Sequence, residues 1–183
     1  MNRQGKLLIA HPNFPSNSPF YKSVIYIYSD NAEGTLGLIL NKPTPFPVHE
    51  LAGLKNIDFP HLRDKVRVGG PVNEKAMIML HTNDWNSTNT TLVKDGICLS
   101  SDNFMLEKLS MGYQPVYWRL MGGVCAWQAG QLDMELNGQG PYKLENAWLM
   151  CNATEELMFE HDKERQWELA VKHSSKQMFD YYF

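Results

Sequence analysis

Cysteine is scarce in this 183-residue chain, and the little there is lies scattered. Cys98, Cys125 and Cys151 are odd in number, and no Cys-x-x-Cys pair occurs. That spacing argues against a disulfide framework and against a cysteine zinc site; it fits reduced, buried thiols. No stretch approaches the ~18 consecutive apolar residues that cross a bilayer. The opening Met1-Asn2-Arg3-Gln4 runs straight into a strand-like pattern with no leader architecture. A cytoplasmic protein with no membrane partner is expected.

Basic excess is also missing. The chain carries 17 Lys and Arg against 20 Asp and Glu, a net charge of -3. Lys55, Arg63, Lys65 and Arg67 form the nearest approach to a basic patch, but Asp58 and Asp64 are interleaved with them, so they read as a mixed solvated face. Specific nucleic-acid binding is not expected on that charge. The six histidines, at 11, 49, 61, 81, 161 and 173, form no His-Glu-x-x-His pattern and no zinc spacing with cysteine, so no metal is expected. No Walker sequence, dinucleotide fingerprint or nucleophile elbow occurs, and no cofactor is expected.

What the chain does have is glycine. Four motifs arrive in order: Gly5 to Ala10, Gly34-Thr35-Leu36-Gly37 running on to Asn41-Lys42-Pro43, Val68-Gly69-Gly70-Pro71-Val72, and Trp127-Gln128-Ala129-Gly130-Gln131-Leu132-Asp133. Gly and Pro beside apolar runs mark strand ends that need an unusual backbone or a close approach. Residues 5–10, 23–29, 35–40, 65–68, 76–81, 116–120 and 147–151 read as strands. The second and third of these make a hairpin across a loop of four to five residues, and Asp95-Gly96 marks a tight turn between 91–93 and 97–99. Three prolines keep 41–47 from being helix or central strand.

Helices are expected over 48–54, from Ser101-Asp102 to about Met111 with Gly112 as its stop, and over 127–136, 154–159 and 163–174. The aromatic tail, 175–183, is expected to pack on the body or on a partner. Strands and helices mix without regular alternation, which gives the α+β class in one domain spanning 1–183.

Taken together and in that order, these motifs resemble the AlgH/YqgE family of bacterial proteins. The resemblance spans roughly Gly5 to Ala170 and takes in Phe20-Tyr21-Lys22-Ser23-Val24, Leu80-His81, Asp95-Gly96-Ile97, Ala147-Trp148-Leu149, Phe159 and Trp167. It implies a curved mixed sheet or partial barrel flanked by helices on both sides. Family members carry transcriptional-regulator labels without an established biochemical activity. The chain departs from the family pattern at Gly123-Val124-Cys125-Ala126-Trp127, at Asp133 where Glu is usual, and in a longer loop over 138–146.

Seven residues are candidates for a ligand site. Asn41 and Lys42 offer an amide and an ammonium at a strand exit; the alternative is a turn in which Asn41 bonds local backbone. Gly69-Gly70 either exposes N–H groups to an anion or simply redirects the chain. His81 is either a titrating site residue or a hydrogen-bonded core histidine. Trp127 and Gln131, four apart on the expected helix, share a face and form one wall of a groove, unless Trp127 is core. Cys125, just before that helix, is either an activated thiol or a small hydrophobe. Asp133 and Glu135 do not share a helix face, so they make no acid–base pair, and no catalytic residue is assigned.

The expected function is a non-enzymatic regulatory or binding module for a small molecule or protein. Its alternatives are an enzyme acting on a small metabolite at the same cleft and a regulator acting through nucleic acid. Oligomeric state is left open.

Overall fold

Apolar runs bounded by Gly, Pro and Asn become strands in a computed structural model that describes residues 2–51, 62, 64–142, 144 and 147–182. The strands are β1 Lys6–Ala10, β2 Val24–Asn31, β3 Gly34–Ile39, β4 Pro43–Pro47, β5 Lys65–Val68, β6 Val72–Thr82, β7 Thr91–Lys94, β8 Ile97–Ser100, β9 Trp118–Gln128 and β10 Trp148–Asn152. The described α-helices are α1 Asn103–Ser110, α2 Gln131–Leu136 and α3 Lys163–Tyr182.

One curled sheet of ten strands runs β10-β1-β2-β3-β9-β6-β8-β7, with β5 parallel to β9 and carrying β4 on its other edge. Its curl brings Gly5, ahead of β1, against the side chain of Lys94 at the end of β7, giving a half-barrel. Residues alternate between two buried faces. Leu7, Ile9 and Tyr26 pack with Trp167 and Ala170 of α3, while Leu8, Ile25 and Ile27 pack with Leu132 of α2 and Trp148. Apolar side chains on both faces explain why β1 and β2 read as continuous apolar runs. A third cluster joins Met105, Leu106 and Leu109 of α1 to Met79, Leu120, Val48 and Val66. The sheet is thus covered on both sides, as the resemblance implies.

β9 is the spine. Its C-terminal half pairs with β3 and its N-terminal half with β6 and β5. The strand expected over 116–120 starts at Trp118 and does not stop at 120; it runs through Gly122 and Gly123 to Gln128. The glycines serve a backbone crossing instead. A Cβ on Gly70 would lie 2.1 Å from the Val124 carbonyl carbon, and one on Gly123 would lie 2.4 Å from the Gly70 oxygen.

Other expectations shift for physical reasons. Trp127 and Gln128 stay extended because β9 still has β3 to pair with, so the helix is confined to Gln131–Leu136. The β2–β3 loop is tighter than expected, since Asn31 already pairs with Gly34. Residues 43–47 are, as expected, neither helix nor central strand; they form an edge strand, where proline is tolerated. Val48–Leu51 is a 3₁₀ turn, and the rest of the expected 48–54 helix lies outside the described residues. The expected 154–159 helix is a π turn over Glu156–Glu160. The final helix continues past Ser174 to Tyr182 and absorbs the aromatic tail, whose last residue, 183, lies outside the described residues. Of the 138–146 loop, positions 143, 145 and 146 lie outside them too. The α1 boundaries hold: Asp102 accepts from the Met105 N–H at 2.8 Å, and Gly112 takes φ +84°.

Candidate functional site

A cleft of about 870 Å³ opens where β4 and β5 leave the main sheet. The proline-rich edge brings Thr44 and Phe46 to it, β5 brings Val66, Arg67 and Val68, and the chain returns through Gly70-Pro71 into β6 with Met77. Leu106 of α1 and Ile39 of β3 add aliphatic wall. The lining is mostly aliphatic and aromatic, which suits a ligand with an apolar body. Phe46, Val68 and Val72 leave large apolar side chains exposed beside it.

Arg67 supplies the buried charge. Read in the sequence as part of a solvated face, it is only 9% exposed, because β5 is clasped between β4 and β9. Lys65 is exposed as expected, while Lys55 and Arg63 lie outside the described residues. Arg67 forks onto Asp162, with Nη2 at 3.1 Å from Oδ2 and Nη1 bonded to Oδ1. Behind it stands Arg119 of β9, which donates to Leu40 O at 2.6 Å, Gln166 Oε1 at 2.9 Å and His161 O at 2.6 Å. Burial pushes the Arg119 guanidinium down to about 9, Arg67 adds to that, and Asp162 opposes it. It stays charged at neutral pH.

The seven candidate residues separate in space. Gly70 lines the cleft. Gly69 adjoins it and donates to Gly122 O, on the floor of the cleft. Lys42 is half-buried and donates to the carbonyl of Pro19, which lines the rim; burial holds its ammonium below the usual lysine value.

The other four lie elsewhere. Asn41, expected at a surface, is 4% exposed and tied to backbone: Oδ1 accepts from Val24 N–H at 2.9 Å, and Nδ2 donates to Lys22 O and Lys163 O. His81 is fully buried on β6. Its Nδ1 lies 2.8 Å from Thr82 O, which only accepts, so Nδ1 carries the proton and Nε2 accepts from Ser100 Oγ at 2.9 Å. Burial holds its pKa below the ordinary value, against opposing pulls from Thr82 and Asp84. Trp127 is core, on β9. Gln131, on α2, accepts from Gln128 N–H and donates to Glu135, so the two share no helix face. Cys125 lies within β9, not at a helix start, and burial pushes its thiol up to about 12 despite nearby Lys42.

Sequence reasoning missed Glu135 and Arg119. Glu135 is 3% exposed and accepts from two tryptophan indoles. Its one signal is tryptophan content near an acid, which periodicity does not weigh. A second, polar pocket of about 300 Å³ lies between Arg3, Asp30, Gly34, Thr35, Gly130 and Asp133, bringing two of the glycine motifs together. Among the described residues no group of three or more His, Cys, Asp or Glu is placed to hold a metal, and no helix is long and apolar enough to cross a membrane.

Fold and cleft define an α+β half-barrel with an aliphatic groove beside a buried arginine pair. Comparison with known proteins gives the family: the AlgH-like sequence pattern matches residues 7–178, and the chain belongs to the AlgH-like family. A UPF0301 protein of Methylococcus capsulatus is 34% identical over 172 residues, covering 93% of this chain and 90% of that protein. One from Bradyrhizobium is 34% identical over 179 residues, covering 92% and 79%. The solution structure of AlgH from Pseudomonas aeruginosa superposes with a TM-score of 0.76 at 26% identity, covering 94% of this chain and 89% of that one. A crystal structure from Corynebacterium diphtheriae, at TM-score 0.64 and 20% identity over 84% of this chain and 78% of that one, shares the fold.

Proposed function

We propose that this chain is a non-enzymatic, cytoplasmic binding module whose ligand enters the β4–β5–β6 cleft. The cleft itself carries the reading: a large, mainly aliphatic concavity with one buried cation on its wall is the arrangement that small-molecule sites share. Lys42, Gly69 and Gly70 border it, while Asn41, His81 and Trp127 hold the scaffold that shapes it. The burial of Cys98, Cys125 and Cys151, each with its thiol pushed up by desolvation, leaves the described residues without a thiolate nucleophile at neutral pH. Net charge -3 favours a small molecule or protein over nucleic acid.

A fragment screen on nitrogen-15-labelled protein tests this. Hits are expected to move the amides of Thr44, Arg67, Gly70 and Met77 together. Hits that gather instead at Arg3, Asp30 and Gly130 overturn the assignment and move the site to the polar pocket.

A further inference from the structure

Resting on the reading of the cleft as a binding site, we infer that its occupant is an amphipathic monocarboxylate, an alkyl chain with one acid group, whose carboxylate takes the place of Asp162 on Arg67.

Among the described residues, Asp162 is the carboxylate within ion-pair distance of the two buried guanidiniums, Arg67 and Arg119; it is 46% exposed, and Asp64 adds its charge to Arg119 from further off. A buried guanidinium has to keep an anionic partner, so an Asp162 that swings out must be replaced by another anion. The two arginines differ in what they lack. Arg119 donates to Leu40 O, His161 O and Gln166, and Asp162 lies 3.7 Å from it. Arg67 has Asp162 for its charge, and its Nε is buried with no partner among the described residues. Arg67 is also the one that lines the cleft. The residue that meets the ligand is therefore the one with an unfilled donor.

Asp162 shows which acid fits. Its two oxygens already engage both terminal nitrogens of Arg67, the planar fork that suits a carboxylate. It stands between the π turn and α3, half in water, so its side chain can leave while its carbonyl keeps the Gln166 N–H. Exchanging one carboxylate for another leaves the charge at the arginine pair unchanged. A dianion would add a second negative charge. The rest of the cleft is chain-shaped in its chemistry, with Ile39, Val66, Met77 and Leu106 as aliphatic wall. Glu74 and Lys75 at the rim offset each other.

The experiment compares decanoate with 1-decanol on the full chain, by amide shifts and by calorimetry. Decanoate is expected to bind about tenfold more tightly, the scale of one charge-assisted fork. Asp162→Asn removes the competitor and is expected to tighten decanoate several-fold while leaving decanol unchanged; Asp162→Glu restores competition. Arg67→Gln brings decanoate down to the level of decanol. Should that variant unfold, Arg67→Lys, which keeps charge without the fork, gives an intermediate affinity. Decanol binding as tightly as decanoate, or no gain in Asp162→Asn, overturns the carboxylate assignment while shifts at the cleft amides keep the binding reading. If neither compound moves those amides, both fall.

Discussion

Trp127 and Trp148 stand edge to face, 6.1 Å apart, and give their indole N–H groups to the same oxygen, Oε2 of Glu135. The other oxygen accepts from Gln131. Three donors from β9, β10 and α2 thus converge on one buried carboxylate, which locks the short helix to the sheet. Glu135→Ala is expected to cost about 3 kcal/mol, because it strands buried donors and leaves a void. Glu135→Gln, which keeps one acceptor oxygen, costs roughly half of that. Urea unfolding measures both; an alanine variant within about 0.5 kcal/mol of the parent contradicts the convergence.

Asn41 holds two strained backbones at once. The carbonyls its Nδ2 reaches belong to Lys22 and Lys163, both left-handed, at φ +53° and +52°. Such a conformation costs a non-glycine residue about 1–2 kcal/mol and persists where its surroundings over-determine it. Asn41→Ala is expected to lose about 3 kcal/mol. Lys163→Gly is expected to gain about 0.5–1 kcal/mol by removing the strain. A loss in Lys163→Gly, measured by the same unfolding curve, refutes the strain.

Much of the fold was legible because it depends on local chemistry: β-branched runs, the Asp102 cap, the Asp95-Gly96 turn. The site was less so. Asn41 at the end of an apolar run looks the same whether water or distant backbone satisfies it, and its partners sit at 22, 24 and 163. Arg67 reads as surface in a charged stretch and is buried by β4 and β9, whose residues opposite it, Pro43 and Met121, both lie far from it in sequence. Trp127 fits a helical pattern with Gln131, and β3 overrides it.

Asp102 gives a pH signature. Partial burial raises its pKa, but hydrogen bonds from Ser87, Asn89 and Met105 outweigh that, so the net shift is downward from 3.8. A depressed carboxyl stabilises the fold above its unfolded pKa and loses that contribution as pH falls through the folded one. Asp102→Asn is therefore expected to be less stable than the parent at pH 7, with the gap closing below about pH 4. A gap that stays constant down to pH 2.5 contradicts the shift.

The thiols offer a direct check of burial. Desolvation pushes Cys125 and Cys151 up to about 12 and raises Cys98. Ellman's reagent at pH 7.5 is expected to leave all three unmodified in the native protein over minutes and to label all three in guanidinium chloride. Rapid native labelling at Cys125 would place that residue at the surface.

Three of the five residues in β4 are proline, and the amide of Phe46 is held by Thr44 Oγ1. An arriving peptide strand needs a ladder of alternating donors and acceptors, and this margin supplies almost no donors. Whatever docks beside it must be recognised by shape and side chains, not by extending the sheet. The same chemistry keeps two copies of the half-barrel from zipping together along β4, so the greasy walls beside that edge stay open without a strand being added to it.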